Sequence, residues 1–241
     1  MERAKIRLHV DQPLGQGQAV SLTPDQAHYL FAVMREGPGT HVALFNGRDG
    51  EWTAEVTSAG KKTGVLTCLA WAAPQLNPPD LWLLFAPIKK ERTDFIVEKA
   101  AELGCARILP VATDYTNSQR IRQDRLQAHA LEAAEQCLGT YVPEVADLVP
   151  LKKLLADWSP ERRILWADES LVGAGRVMAG LTPGPWAILI GPEGGFSEGE
   201  RNWLRMKPFV TPVSLGPRIL RADTAVCAAI TLWQATLGDW R

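Results

Sequence analysis

The sequence lacks an apolar run long enough to cross a membrane. Its longest apolar segment, Leu81–Ile88, has eight residues, whereas a helix needs about 20 to span the hydrocarbon core. The first ten residues alternate charged and apolar side chains and show none of the successive blocks of a secretory signal. We therefore expect a soluble, cytoplasmic protein that does not act at a membrane.

Excess positive charge and paired cysteines are also missing. The 26 Lys and Arg are balanced by 27 Asp and Glu, which argues against binding of nucleic acid through bulk charge. The four histidines lie in separate segments and no CxxC pair occurs, so no metal site is expected. The cysteines are interpreted as buried thiols of a reducing compartment; they are Cys68, Cys105, Cys137 and Cys227.

The N-terminal part has the pattern of a small β-barrel. Thr23 and Pro24 predict the start of a short helix that continues to Met34. Strand-like segments with turn-forming residues between them follow this helix. They cover residues 41–45, 51–56 and 65–71. Short strands and one helix within about 70 residues favour a barrel.

The first strand carries a candidate surface for nucleic acid. Residues 3–10 alternate basic and apolar side chains with the period of two of a half-buried strand. This pattern places Arg3, Lys5 and Arg7 on one basic face.

The proline-rich segment 74–79 marks a change of pattern. Because it is stiff and disfavours strands, we predict one domain of residues 1–73 and a second of residues 74–241. Beyond it, apolar strands alternate with helices, which predicts an α/β domain with a parallel sheet. The predicted strands are 81–86, 107–111, 163–167, 186–190 and 210–214, and the predicted helices are 92–103, 123–138, 197–206 and 222–237.

A glycine-rich segment, Gly191-Pro-Glu-Gly-Gly195, follows a buried strand directly; we name residues 191–195 the glycine loop. Ligands bind at the carboxyl ends of strands in open α/β sheets, and glycines allow a close approach to the backbone. Glu193 adds one carboxylate. Ser197 and Glu200 match the capping box that begins a helix. The alternative is a tight strand-to-helix turn without a ligand.

A second strand-to-helix connection, residues 214–221, carries Arg218 and Arg221 next to a helix start; we name it the arginine loop. Acidic side chains are favoured at that position, so two arginines there indicate an anionic partner such as an RNA phosphate. A solvated surface pair is the alternative.

A third basic cluster, Lys89, Lys90 and Arg92, also follows a strand. In a parallel sheet all three connections meet at one edge and form a single pocket with a basic rim.

Several ordered motifs together resemble one known family. The glycine loop, the segment Leu215-Gly-Pro-Arg-Ile-Leu-Arg-Ala-Asp-Thr-Ala225 and the blocks at residues 89–92, 97–104 and 132–137 are similar to those of the RsmE family. Residues 28–35 are similar to its N-terminal signature. These proteins are small-subunit ribosomal RNA uridine-N3 methyltransferases of the SPOUT superfamily, and the resemblance covers almost the whole chain.

The resemblance implies a PUA-like β-barrel followed by an α/β methyltransferase domain with a deep trefoil knot. It also implies a homodimer that binds S-adenosylmethionine near the subunit interface and methylates N3 of a uridine in 16S ribosomal RNA, uridine 1498 in the family. The implied cofactor-binding residues are Ile190, Gly191, Pro192, Glu193, Gly194, Gly195, Ser214, Leu215, Gly216, Ile219 and Leu220. The implied RNA-binding residues are Arg3, Lys5, Arg7, Arg35, Lys89, Lys90, Arg92 and Arg218.

Uridine N3 is a poor nucleophile until its proton is lost, so the transfer needs a base or an electropositive pocket. Arg221 is the candidate for stabilising the uridine anion, and Glu193 either accepts the proton or holds its loop. The chain departs from the family at Tyr115, where a basic residue is usual, and at Asp223, where Glu is usual. Two alternatives therefore stay open: methylation of another RNA position, including a ribose hydroxyl, and a non-catalytic RNA-binding or ribosome-assembly factor.

Overall fold

The computed structural model describes residues 4–118, 120–168, 171 and 180–240. The chain divides into two compact units. The first comprises Met1–Asn77 with Ala134–Val142, and the second comprises Pro78–Ala133 with Pro143–Arg241. The division thus falls inside the proline-rich segment, four residues beyond the boundary expected at residue 73.

The first unit contains a five-stranded sheet. In chain order its strands are β1 (Arg7–His9), β2 (Ala19–Ser21), β3 (His41–Phe45), β4 (Glu51–Ala59) and β5 (Gly64–Ala73). The spatial order is β1-β3-β4-β5-β2, with β1 parallel to β3 and the other pairs antiparallel. One face packs over a core that includes Val20, Leu44 and Leu66. The sequence predicted the three long strands and missed β2, whose three residues are too few to show a period.

The predicted N-terminal helix is present in two parts. Helix α1 (Pro24–Ala27) is capped by Thr23, whose hydroxyl accepts a hydrogen bond from the Gln26 backbone N–H. A π-helical segment, His28–Val33, continues it. Leu30 is completely buried on this segment, while Val33 and Met34 are exposed.

Arg7 does not belong to an exposed basic face. Its side chain is buried, and its guanidinium donates hydrogen bonds to the backbone carbonyls of Ala134, Glu135 and Gly139 at 2.8–2.9 Å. The prediction that Arg7 binds RNA is therefore wrong. Ala134 and Glu135 belong to the last turn of the helix Gln123–Gln136 and Gly139 follows it, which is where a cation is favourable. The same bonds explain why Ala134–Val142, expected in the second domain, groups with the first unit.

The second unit is built on a parallel sheet. Its strands are β6 (Leu81–Phe85), β7 (Arg107–Ala112), β8 (Glu144–Val145), β9 (Val149–Pro150), β10 (Arg163–Ala167), β11 (Trp186–Ile190) and β12 (Val210–Val213). The order is β12-β10-β11-β6-β7-β8, and β9 also pairs with β7. Every pairing is parallel, as the apolar strands predicted. The two-residue strands β8 and β9 were not predicted because they carry no periodic pattern.

Within the described residues, this part of the chain has five helices: α2 (Lys90–Glu102), α3 (Gln123–Gln136), α4 (Leu151–Leu154), α5 (Glu198–Arg205) and α6 (Ala222–Thr236). All except the single turn α4 were predicted. Helix α2 ends before Gly104, whose φ of 80° is the left-handed conformation expected of a closing glycine. After α3 the left-handed residue is Leu138, with φ 65°, instead of Gly139. None of the described helices is long and apolar enough to cross a membrane.

The cysteines differ from the expectation in one case. Cys68 and Cys105 are buried and Cys227 is half-buried, but Cys137 is exposed. Burial raises the pKa of the Cys105 thiol far above its usual range. Cys137 lies just after the end of α3, and its exposure shows that the expectation of four buried thiols is wrong.

Candidate functional site

The carboxyl ends of the central strands meet at one edge of the parallel sheet. At the end of β6, the Ala86 N–H donates to the Ile190 carbonyl of β11 at 3.0 Å. At the end of β10, the Asp168 N–H donates to the Val213 carbonyl of β12 at 2.8 Å. The connections after β10, β11 and β12 therefore begin side by side, which is the arrangement that binds ligands in open α/β sheets.

A cavity of about 370 Å³ lies at this edge. It is lined by every residue of the glycine loop and the arginine loop, together with the ends of their strands. All eleven residues expected to bind a cofactor line it, as do Arg218 and Arg221. The lining residues that the sequence analysis missed are Ala167, Asp168, Leu171, Pro217, Ala222 and Ala225.

Local packing determines the shape of the glycine loop. The Gly195 N–H donates to the Pro192 carbonyl at 2.9 Å, and Gly195 has φ 67°. A Cβ atom on Gly191 would lie 2.6 Å from the buried ring of Phe196, so this position has no room for a side chain. The predicted capping box is present, since the Ser197 hydroxyl accepts from the Glu200 N–H at 3.2 Å and the Glu200 carboxylate accepts from the Ser197 N–H at 3.1 Å.

The arginine loop is held by its own hydroxyl group. The buried Ser214 side chain hydrogen-bonds both the N–H and the carbonyl of Gly216, at 3.3 and 3.1 Å. Gly216 has φ 119°, which a residue with a side chain adopts only with strain. Arg221 is the N-cap of α6 but makes no capping bond with its side chain. Ile219 lines the cavity and is 83% exposed to solvent.

Of the described residues, four charged ones line the cavity, and one of these is neutralised. The fully buried Asp168 carboxylate forms ion pairs with two guanidinium groups: Arg201 Nη1 lies 3.0 Å and Arg205 Nη2 lies 2.9 Å from its oxygens. Glu193, Arg218 and Arg221 are exposed, and their side chains have no ion pair or hydrogen bond with any other described residue. Among the described lining residues, two arginines therefore stand against one glutamate, an excess of one positive charge. The place of Asp168 directly after the buried strand β10 was the signal that could have identified it.

The third basic cluster takes a different position from the one expected. Lys89, Lys90 and Arg92 follow β6 at the start of α2 but do not line the cavity. Arg92 lies beside the first turn of α6, with its Nε atom 3.9 Å from the Asp223 carboxylate. The expected rim of five cations is thus reduced to two at the cavity itself, Arg218 and Arg221.

The other basic candidates lie in the first unit. Lys5 and Arg35 are exposed, and Arg35 has the positive φ of 59°. Arg7 is buried as described above. Arg3 lies outside the described residues. Among the residues that the structure describes, no group of three or more histidine, cysteine or acidic side chains is arranged to hold a metal ion.

Two protein-family models match the chain, one mainly in each unit. Residues 75–234 match the RNA methyltransferase domain family. The chain belongs to this family. Residues 22–67 match the RNA methyltransferase PUA domain, so this RNA methyltransferase carries a PUA-like domain before its catalytic α/β domain.

Curated relatives match over most of the methyltransferase chain. It is 30% identical to the ribosomal RNA small subunit methyltransferase E of Synechocystis, covering 90% of this chain and 73% of the relative. It is 27% identical to the protein of the same name from Rickettsia conorii, covering 93% of both chains. These matches confirm the RsmE resemblance.

Solved structures confirm the fold. A putative methyltransferase from Legionella pneumophila, crystallised with S-adenosylmethionine, has a TM-score of 0.90 at 29% identity and covers 98% of this chain and 99% of its own. The ribosomal RNA small subunit methyltransferase E from Neisseria gonorrhoeae, also bound to S-adenosylmethionine, has a TM-score of 0.88 at 26% identity with the same coverage. The methyltransferase has the SPOUT-type α/β fold with its PUA-like domain.

Proposed function

We propose that this protein transfers the methyl group of S-adenosylmethionine to N3 of a uridine in 16S ribosomal RNA, the family target uridine 1498, within the small ribosomal subunit. The observation that carries the proposal is the cavity between the glycine loop and the arginine loop, lined by Arg218 and Arg221, which have no ion pair with any residue that the structure describes. A ribosomal substrate also places the enzyme in the cytoplasm.

The cavity suits the cofactor in size and lining. Its volume of about 370 Å³ falls in the usual range for small-molecule sites. Ile190, Leu215 and Leu220 supply apolar contacts, while the glycines let the ligand reach backbone N–H and carbonyl groups. Nothing lies within 4 Å of the place where a Gly216 Cβ would be, so the ligand can approach that backbone directly. The bound cofactor supplies an activated methyl group.

Arg221 stabilises the deprotonated uridine. The pyrimidine becomes nucleophilic at N3 when it carries a negative charge, and a guanidinium that is not neutralised by a carboxylate stabilises that charge. Arg221 meets this requirement because it lines the cavity and has no partner among the described residues. Asp223, in the first turn of α6, accepts from the Thr224 N–H and lies near Arg92, so it leaves Arg221 uncompensated.

Glu193 accepts the N3 proton. The other role considered for it, holding the glycine loop, is taken by different groups. The Gly195–Pro192 bond closes the loop, and the Arg201 Nε donates to the Phe196 carbonyl at 3.1 Å. The Glu193 side chain is exposed at the cavity with no partner in the described chain, so it is available as a base.

RNA binding rests on local cations, because the chain has no overall positive charge. In the methyltransferase domain these are Arg218 at the cavity and Lys89 and Lys90 at the start of α2, with Arg92 beside them. In the PUA-like domain, Lys5 and Arg35 are exposed. Such residues contact phosphates and set the position of the RNA, while the target base is reached only when it is unstacked.

We propose that the enzyme is a homodimer that uses α2 and α6. These helices pack against each other, and each carries an exposed large apolar side chain, Phe95 on α2 and Leu232 on α6. Because α6 begins at the cavity, a partner on this surface lies near the cofactor site. Sedimentation of wild type and Leu232→Glu tests this: a dimer that becomes a monomer supports the surface, and an unchanged mass contradicts it.

The function is tested on ribosomal particles. Nucleosides from the small-subunit RNA of cells lacking the protein are measured by mass spectrometry before and after incubation with the purified protein and S-adenosylmethionine. We expect 3-methyluridine to be missing before and present after. A different methylated nucleoside, including a ribose-methylated one, would replace the proposed target, and no methylation at all would favour a non-catalytic RNA-binding factor.

Two arginine variants localise the chemistry. Arg221→Ala is expected to lose methyl transfer and to keep cofactor binding, since its side chain acts on the uridine. Arg122→Ala is the matched control, because Arg122 is exposed, pairs with Asp124 at 2.7 Å and does not line the cavity. Equal activity of the two variants would remove Arg221 from the mechanism.

A further inference from the structure

Tyr115 carries an exposed aromatic ring beside the cofactor cavity. We infer that this ring is the stacking platform for the target base, an inference that rests on the proposed function. The residue is 51% exposed. A Cβ atom on Gly194 would lie 3.5 Å from the Tyr115 Cβ and 3.8 Å from its ring Cδ2. The ring therefore lies alongside a residue that lines the cavity.

The turn that carries Tyr115 is anchored on both sides. The Asp114 N–H donates to the buried Glu200 carboxylate at 2.9 Å, and the Ser197 hydroxyl donates to the Asp114 carboxylate. On the other side, the Ser118 hydroxyl donates to the Ile88 carbonyl at 3.2 Å. The capping carboxylate of α5 thus binds the Tyr115 turn as well as its own helix start. Because the backbone of this turn is already held, a ligand that covers the ring has little backbone to order.

The ring and the cavity next to it offer contacts that suit a pyrimidine. The phenol makes no hydrogen bond within the described part of the chain, so its face and edge are available. The cavity that Gly194 lines is also lined by the exposed Ile219 and by Arg218 and Arg221 of the arginine loop. A base taken out of its RNA stack needs a replacement surface, and aromatic rings provide one for any nucleobase.

This assignment gives a physical role to the position at which the chain departs from its family. A basic side chain there would contact RNA through charge. The aromatic ring of Tyr115 contacts the base through its face, with a weaker dependence on salt.

The test compares Tyr115→Phe and Tyr115→Leu in the full chain. Phe keeps the ring and Leu keeps only apolar bulk. Methylation of small subunits lacking the modification is measured at steady state, and cofactor affinity is measured by calorimetry. In parallel, the equilibrium binding of a short single-stranded oligouridine is measured with S-adenosylhomocysteine present. We expect Tyr115→Phe to keep both kcat/KM and oligouridine affinity within about twofold of wild type. Tyr115→Leu should lose about ten- to hundredfold in each. Cofactor affinity is expected to be unchanged in both.

The outcomes separate this inference from the proposed function. If Leu equals wild type in oligouridine affinity, or if Phe falls as far as Leu, the ring is not a stacking platform. A second outcome is that the wild-type protein methylates no uridine N3 while Tyr115→Phe still binds oligouridine more tightly than Tyr115→Leu. This result would support the stacking role of Tyr115 and show that the proposed reaction is wrong. Equal melting temperatures of the three proteins show that the changes do not come from misfolding.

Discussion

The Nη2 atom of Arg7 lies 2.7 Å from the Oε2 atom of Glu51, and both side chains are almost completely excluded from water. The Arg7 Nε donates to the same carboxylate at 2.8 Å, and the guanidinium lies 4.6 Å from the centre of the Phe45 ring. Arg7 also donates to the carbonyls at and just beyond the end of α3, so its side chain connects three segments of the first unit. A buried ion pair of this kind is costly to break on one side, because the remaining charge has no water around it.

Replacing Arg7 is therefore expected to destabilise the protein. Arg7→Ala should lower the free energy of unfolding by about 3–5 kcal/mol in urea denaturation. Lys5→Ala is the control, since Lys5 is exposed two residues earlier, and its effect should stay within about 0.5 kcal/mol. Equal stability of the two variants would contradict the structural role of Arg7.

Arg201 joins two of the connections that form the cavity. It pairs with Asp168 after β10 and donates to the Phe196 carbonyl after the glycine loop. Arg201→Gln should lower the free energy of unfolding by about 2 kcal/mol and weaken cofactor binding, measured by calorimetry. Arg205→Gln removes the other ion pair of Asp168 and leaves the Phe196 bond in place, so its cofactor affinity should fall less. The reverse order of the two affinities would refute this role.

Gly216 is expected to tolerate no side chain. At φ 119° an alanine is strained although space is free around it, so Gly216→Ala should cost about 1–3 kcal/mol in thermal or urea unfolding. It should also weaken cofactor binding, because the loop relaxes away from its conformation. Gly15→Ala is the matched control, since its Cβ also meets nothing within 4 Å and no positive φ is involved. A harmless Gly216→Ala would show that the loop adapts freely.

His9 makes stability depend on pH. Burial, opposed in part by Asp11, lowers the pKa of His9 below its ordinary value of 6.5. The unfolded chain therefore binds a proton more readily than the folded one, so the stabilising effect is complete above pH 6.5 and decreases as the pH falls below it. Urea unfolding at pH 7.5 and 5.5 should show a smaller pH difference in His9→Gln than in wild type. His41→Gln, at an exposed position, should leave that difference as it is.

The glycine loop and the arginine loop were predictable because each is a short segment between a buried strand and a helix. Strand, turn and helix signals lie within about ten residues of one another, and local patterns of this length are read from sequence. The meeting of the two loops followed from one general rule for parallel sheets. The same rule also predicted Lys89 and Lys90 at the cavity, which they do not line. It failed there because it locates the edge of the sheet where the strands end and does not determine the direction in which a side chain points.

The sequence by itself determined the longer strands and helices of both units, the two loops of the cavity and, through ordered motifs, the family; the short elements β2, β8, β9 and α4 escaped it. Only the tertiary structure decided that Arg7 is buried, that Asp168 lines the cavity between two arginines, and that Tyr115 lies beside Gly194. In each case the partners are distant in the chain: residues 7 and 134, 168 and 201, 115 and 194. Alternating polarity predicts which side of a strand a residue occupies. It does not predict that the folded chain brings a carboxylate and three carbonyls to Arg7, and only such acceptors offset the cost of burying a guanidinium.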